Sequence, residues 1–301
     1  RLELDVDFDK GSVAGKAILT ITPFVDPVSS IELDAAEMSI GAVRRLQAGQ
    51  AAPADSPLIP LSSMARTLQY VLDRERLVIE LDQKLKPGDS ATIEVEYSCK
   101  PRKGLYFIRP DSAYPDRPSQ VWSQGQTEDA HWWFPCVDTP HQKMTTEILV
   151  TVDKRFDVLS NGVLVSRTED KVNGRTSFHW RQDQPHPSYL VTLVAGEYKV
   201  LESQLHGLPV NYYVYPNMVE EGRRLFSRTP QMIEFFASRF GYPYPFSKYS
   251  QVLVHDFLFG AMENTSATTM TDRCLLDPRA ELDISYEDIV AHELAHHWFG
   301  D

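Results

Sequence analysis

Ser285-Tyr286-Glu287-Asp288-Ile289-Val290-Ala291-His292-Glu293-Leu294-Ala295-His296-His297-Trp298-Phe299-Gly300-Asp301 closes the 301-residue chain, and its periodicity is helical. Ile289, His292, His296 and Phe299 share one stripe, with Val290, Leu294 and Trp298 as apolar cover beside it. Ser285 reads as the N-cap, with Asp288 three residues on as in a capping box. Glu287 and Asp288 put negative charge near the positive end of the helix dipole, and Gly300 reads as the stop. On such a helix, residues four apart are neighbours, about 5–6 Å apart at Cβ. His292 and His296 therefore offer two imidazoles to one point, and zinc takes His nitrogen at about 2.0–2.1 Å. Glu293 follows the first of them and reaches the same point as general base for a metal-activated water. The adjacent His297 points roughly 100° away from His296 and is a poor ligand.

H-E-x-x-H is short, and a second motif upstream gives it weight. Gly260-Ala261-Met262-Glu263-Asn264 follows an apolar strand and the run Phe257-Leu258-Phe259. A third stretch, Gln124-Gly125-Gln126-Thr127-Glu128-Asp129-Ala130, runs into Phe134-Pro135-Cys136-Val137-Asp138-Thr139-Pro140. Together, and in this order, they closely resemble the zinc aminopeptidases of the aminopeptidase N and leukotriene hydrolase family. The resemblance covers nearly the whole chain.

It implies a fold and a function. The fold is a mainly β N-terminal saddle or sandwich domain, residues 1–200. The beginning of an α+β thermolysin-like metallopeptidase domain follows, residues 201–301. His292 and His296 hold one zinc ion per full-length chain, and Glu293 activates water for attack on the first peptide carbonyl. Gly260, Ala261, Met262, Glu263 and Asn264 line the substrate, with Glu263 binding the free ammonium and the Gly-Ala backbone running beside an extended peptide. Gln124 and Gln126 come from the β-domain to the same pocket. Many members carry Glu where Gln126 stands, and Gln there looks more like the leukotriene hydrolase branch, leaving Glu263 as the chief carboxylate. The family's third zinc ligand, a Glu, and its transition-state Tyr fall beyond Asp301. The chain is thus expected to be the front part of a larger enzyme, inactive alone and binding zinc weakly or not at all. Side-chain preference and oligomeric state are not encoded in this portion.

Composition agrees with a soluble globular protein. The chain is 42% hydrophobic and 24% charged, with a formal net charge of −12. That charge argues against nucleic acid and anionic membranes as partners and suits a site for the positive end of a peptide. Cys99, Cys136 and Cys274 are odd in number, far apart and without C-x-x-C spacing, which argues against a disulfide framework or cysteine zinc site. No apolar stretch has the length of a membrane helix, so the expectation is a soluble protein of undetermined compartment. The opening Arg1-Leu2-Glu3 shows no signal peptide and no initiator Met, so the start is expected to have been trimmed, and any targeting segment would not be visible here.

The front of the chain alternates. Leu2, Leu4, Val6 and Phe8 interleave with Glu3, Asp5, Asp7 and Asp9, the period of a half-buried strand. Similar runs at 17–22, 28–33, 39–46, 91–97, 104–109, 145–152, 157–159, 175–180 and 189–194 predict antiparallel sheets. Residues 67–72 and 77–81 read as a hairpin, and 47–60 as a surface loop. His186, between two prolines, reads as a loop residue. His131-Trp132-Trp133-Phe134-Pro135-Cys136 reads as packing beneath a sheet, with Cys136 a buried thiol. After a last strand at 210–215 the period lengthens: Thr229 as N-cap, Pro230, the stripe Met232, Ile233, Phe236 and Phe240, and Gly241 predict a helix. Strands at 251–254 and 265–270 flank the Glu263 motif.

Two other functions fit the same residues. One is a related zinc hydrolase acting on an epoxide, which Gln126 favours mildly. The other is a peptidase-like scaffold that only binds, against which the general base Glu293 argues.

Overall fold

The computed structural model describes residues 1–46 and 65–300. The loop expected at 47–60 lies outside the described residues. Among these, the largest sheet has eight strands. Their spatial order is Val163–Asp170, Arg175–Pro187, Lys143–Asp153, Leu2–Asp7, Ser12–Ile21, Ala91–Cys99, Met38–Leu46 and Arg66–Thr67. Leu2, Leu4 and Val6 are buried while Glu3, Asp5 and Asp7 face outward, as alternation predicts. Leu2 lies opposite Ile148 and Leu4 opposite Val150 in the parallel pair with Lys143–Asp153. A three-stranded sheet of Val28–Asp34, Arg76–Leu85 and Tyr70–Asp73 contains the expected hairpin. A four-stranded sheet of Asp157–Ser160, Leu193–Gly196, Gln120–Ser123 and Leu105–Ile108 completes the mainly β front part.

The aromatic run packs as predicted. Trp133, Phe134 and Cys136 are buried, the Tyr97 hydroxyl donates to the Trp133 carbonyl at 3.0 Å, and burial pushes the Cys136 thiol well above its usual pKa. His186 is not in a loop. It ends the long strand Arg175–Pro187, opposite Met144, buried with Nε2 at 2.9 Å from the Thr146 hydroxyl. Flanking prolines suggest a turn locally, but here pairing with Lys143–Asp153 holds the backbone extended. The strands Val163–Asp170 and Lys199–Leu205 were not predicted. Both are largely exposed and sit at the ends of their sheets, so alternation is weak.

Residues 199–271 build a five-stranded mixed sheet, ordered Lys199–Leu205, Leu208–Val214, Tyr249–Val254, Ala267–Thr271, Ala261–Met262. Tyr249–Val254 and Ala267–Thr271 are buried at every position, the pattern of central strands. The hydroxyls of the Thr-rich strand are satisfied inside: Tyr249 and Thr268 share a hydrogen bond of 3.0 Å, and Asn264 Nδ2 donates to Thr269 at 3.1 Å. Among the described residues, α1 (Val219–Leu225) and α2 (Thr229–Phe240) connect Leu208–Val214 to Tyr249–Val254, and α3 (Glu287–His296) follows the last strand. Gly241 ends α2 in the left-handed conformation, its N–H on the Ala237 carbonyl, as predicted. Thr229 is the first helical residue rather than the cap, because its hydroxyl donates to Gln251 of the neighbouring strand at 2.8 Å. α3 packs against α2 and the strand Ala261–Met262.

Candidate metal and active site

α3 carries the H-E-x-x-H residues with its buried side formed by Val290, Glu293 and Leu294. Its start differs from the capping box by one residue. Tyr286 occupies the cap, Ser285 Oγ accepts from the Glu287 N–H at 3.2 Å, and Asp288 accepts from Ile289. Its regular turns end at His296, before Gly300. His297 is the C-cap and a looser turn continues through Phe299.

His292 and His296 turn their Nε2 atoms toward each other, 3.2 Å apart. His296 Nδ1 donates to the Phe299 carbonyl at 3.2 Å. That tautomer leaves the Nε2 lone pair of His296 aimed at His292. Two nitrogens 3.2 Å apart, each about 2.0–2.1 Å from one ion, subtend about 100–105°, close to a tetrahedral angle. The pair therefore fits zinc. Among the described residues, no group of three or more His, Cys, Asp or Glu gathers at this or any other point.

Gly300 has φ +130°, and a Cβ there would come within 2.8 Å of His296 Nδ1. Gly300 is thus more than a helix stop: the His296 imidazole approaches too closely for a side chain there. His297 is buried, with Nδ1 2.7 Å from the Tyr244 hydroxyl and its ring among Tyr244, Phe246 and Tyr249. Burial, with Lys248 and His296 nearby, pushes it down to about pKa 3. It anchors the end of the helix, which agrees with its reading as a poor ligand. Tyr244 was read only as part of a rigid connector, and nothing in its local sequence marks this partnership.

Glu293 is buried on the α3 flank. Burial first, and the Glu263 carboxylate second, push its carboxyl up to about pKa 8. The two glutamates thus share one region of field. Glu263 is half-buried and follows the strand Ala261–Met262, which lies at the edge of its sheet. That strand pairs with Ala267–Thr271 through Ala261–Met270 and Met262–Thr269, and its other edge carries no strand among the described residues. Gly260 is exposed and Ala261 half-buried. Met262 and Asn264 are buried, so their side chains support the segment from behind: the Asn264 amide is held by Thr269, and Met262 Sδ meets Gln124 Nε2 at 3.2 Å.

Gln124 is therefore brought to the Glu263 segment, buried, from the strand end at Ser123. Gln126 lies two residues on and is exposed. The β-domain reaches across by more than Gln124. Trp122 Nε1 donates to the His255 carbonyl at 3.1 Å, and Gln120 Oε1 accepts the His255 N–H at 3.0 Å.

Residues 1–190 match the peptidase M1 N-terminal domain, and residues 225–301 the peptidase family M1 domain. The chain is 29% identical over 217 residues to "Probable aminopeptidase 2" of Sulfurisphaera tokodaii, covering 69% of this chain and 27% of that protein. It is 32% identical over 214 residues to aminopeptidase N of Streptomyces lividans, covering 66% of this chain and 23% of that protein. The aligned parts thus span 27% and 23% of these relatives' lengths.

Proposed function

This chain belongs to the peptidase M1 family, and we propose that the longer protein it forms part of is a zinc aminopeptidase acting on the free N-terminus of peptides. Residues 1–200 serve as its β-domain and 201–301 begin its peptidase domain. The observation that carries this reading is the 3.2 Å approach of His292 Nε2 to His296 Nε2, on a helix that also bears Glu293. A catalytic zinc takes three protein ligands, of which His292 and His296 would be two; no third His, Cys, Asp or Glu gathers with them among the described residues.

Zinc, when bound, supplies a Lewis acid that makes a water nucleophilic near neutral pH. Glu293 would serve as the general base toward such a water; its carboxyl, raised to about pKa 8 here, would drop beside a cation, because positive charge favours the carboxylate. Buried beside the metal ligands, Glu293 is kept from bulk water and returns the proton to the leaving amine. Glu263 binds the substrate ammonium, and an ion pair in a site that excludes water discriminates strongly against an uncharged amide. The edge Ala261–Met262 takes the peptide backbone as an added strand, and Gln124 stands behind it. Gln126, exposed, contributes less to the amine pocket than Glu263.

The test is substrate selectivity in the complete protein. Amino-acid amides should be cleaved and N-acetylated amides left intact, and Glu263→Gln should raise KM for the free amine by about tenfold or more. Cleavage of epoxides without amides would replace this reading with the epoxide-hydrolase one.

A further inference from the structure

The residues just beyond Glu263 are held by the other domain. Residues 264–267 form a tight turn, with the Ala267 N–H on the Asn264 carbonyl at 2.8 Å. Ser266, within it, has φ +62°, a conformation that a non-glycine residue keeps only when its surroundings impose it. This turn reverses the chain between Ala261–Met262 and Ala267–Thr271, so whatever fixes the turn fixes Glu263.

Three neighbours impose it. Asn161 Nδ2 donates to the Thr265 carbonyl at 2.8 Å and to the Leu190 carbonyl at 2.9 Å, while its Oδ1 accepts the Thr192 N–H at 2.8 Å. The Gly162 N–H donates to Ser266 Oγ at 2.8 Å. Lys248 Nζ donates to the Ser266 carbonyl at 2.9 Å, to the Ser160 carbonyl at 3.0 Å and to Ser266 Oγ at 3.3 Å. Ser160, Asn161, Lys248, Thr265 and Ser266 are all buried. Lys248 Nζ lies 5.3 Å from the Trp180 ring centroid, and burial holds its amine well below the usual lysine pKa. A buried amine is costly unless its hydrogen bonds are met, and here its acceptors are the turn itself and the strand end Ser160. Gly162 at φ +72° admits no side chain, since a Cβ would come within 1.8 Å of the Arg181 carbonyl. The opposite end of the motif is touched by Gln124, again from the β-domain.

We infer that Asn161 and Gly162 of the β-domain, with Lys248 bridging Ser160 to the turn from the peptidase side, are positioning residues, a polar latch that sets the distance of Glu263 from Glu293 and hence the register of the substrate amine. This rests on the reading of Glu263 as the amine anchor. Releasing the latch lets the turn relax out of its left-handed conformation and displaces the carboxylate, without touching the zinc helix.

The experiment is steady-state kinetics on the complete, metal-loaded protein with Asn161→Ala and Ser266→Ala, and Glu263→Gln as control. Amino-acid amides and N-acetylated amides are compared, and zinc content is measured alongside. The expected result is a rise in KM for the free amine of about tenfold with kcat changed less than about twofold, and a narrower preference over the acetylated substrate. Zinc content should stay at the wild-type value. Wild-type KM and selectivity in both variants, while Glu263→Gln loses selectivity, would overturn the latch and leave the function standing. If Glu263→Gln itself keeps full selectivity, the amine-anchor reading fails and the latch fails with it. Should Asn161→Ala not fold, Ser266→Ala removes one hydroxyl only and decides by the same two outcomes.

Discussion

His296 shows how much a single side chain's surroundings determine. Its Nε2 faces His292 because its Nδ1–H is spent on the Phe299 carbonyl. Gly300 leaves just enough room for that ring. Gly300→Ala is therefore expected to push the imidazole aside and strain a φ of +130°. Metal affinity of the complete protein should fall about 10- to 100-fold, the usual cost of disturbing a ligand's support. A competitive chelator titration measures it, and unchanged affinity would remove Gly300 from the site. The juxtaposition of His292 and His296 was legible in the sequence, because spacing on a helix is local. The glycine's role was not, since it depends on a ring reaching it from the preceding turn.

At the scale of elements, strands with one buried face announced themselves and edge strands did not. Leu2–Asp7 alternates because one face meets the core; Val163–Asp170 is exposed over most of its length and shows no such signal. The strand Arg175–Pro187 extends past the prolines around His186 for a reason seen only in its pairing. Burial there pushes His186 down to about pKa 3, with Lys143 adding to the effect. An unfolded chain protonates histidine near pH 6.5. Between these values the unfolded state holds a proton that the folded state refuses, so this contribution is fully present above pH 6.5 and is lost as pH falls toward 3. The slope is about 1.4 kcal/mol per pH unit at most. His186→Asn, which keeps a hydrogen-bonding group toward Thr146, should flatten the fall in stability between about pH 6 and 4 in denaturant titrations. An unaltered slope would show that His186 titrates normally in the fold.

Across the whole molecule, the candidate site gathers parts distant in sequence. α3 carries His292, Glu293 and His296, and the sheet edge Ala261–Met262 leads to Glu263. The front β part brings Gln124 to Met262, and Asn161 and Gly162 to the turn at Ser266. The order of the three motifs along the chain is legible in the sequence. The contacts joining the parts were hidden, because Lys248 and Asn161 look like ordinary surface residues until burial and partners are known. Under the proposed function, the net charge of −12 would add a diffuse attraction for a cationic peptide end, with Glu263 as the local anchor. The measurement that bears most directly on the function is zinc content and amide cleavage by the complete protein, beside Glu293→Gln. One zinc per chain in both proteins is expected, with cleavage by Glu293→Gln reduced about 10²- to 10⁴-fold, the typical contribution of a general base. A wild-type protein that holds zinc but cleaves no peptide, or a Glu293→Gln variant that cleaves as well as wild type, would contradict it.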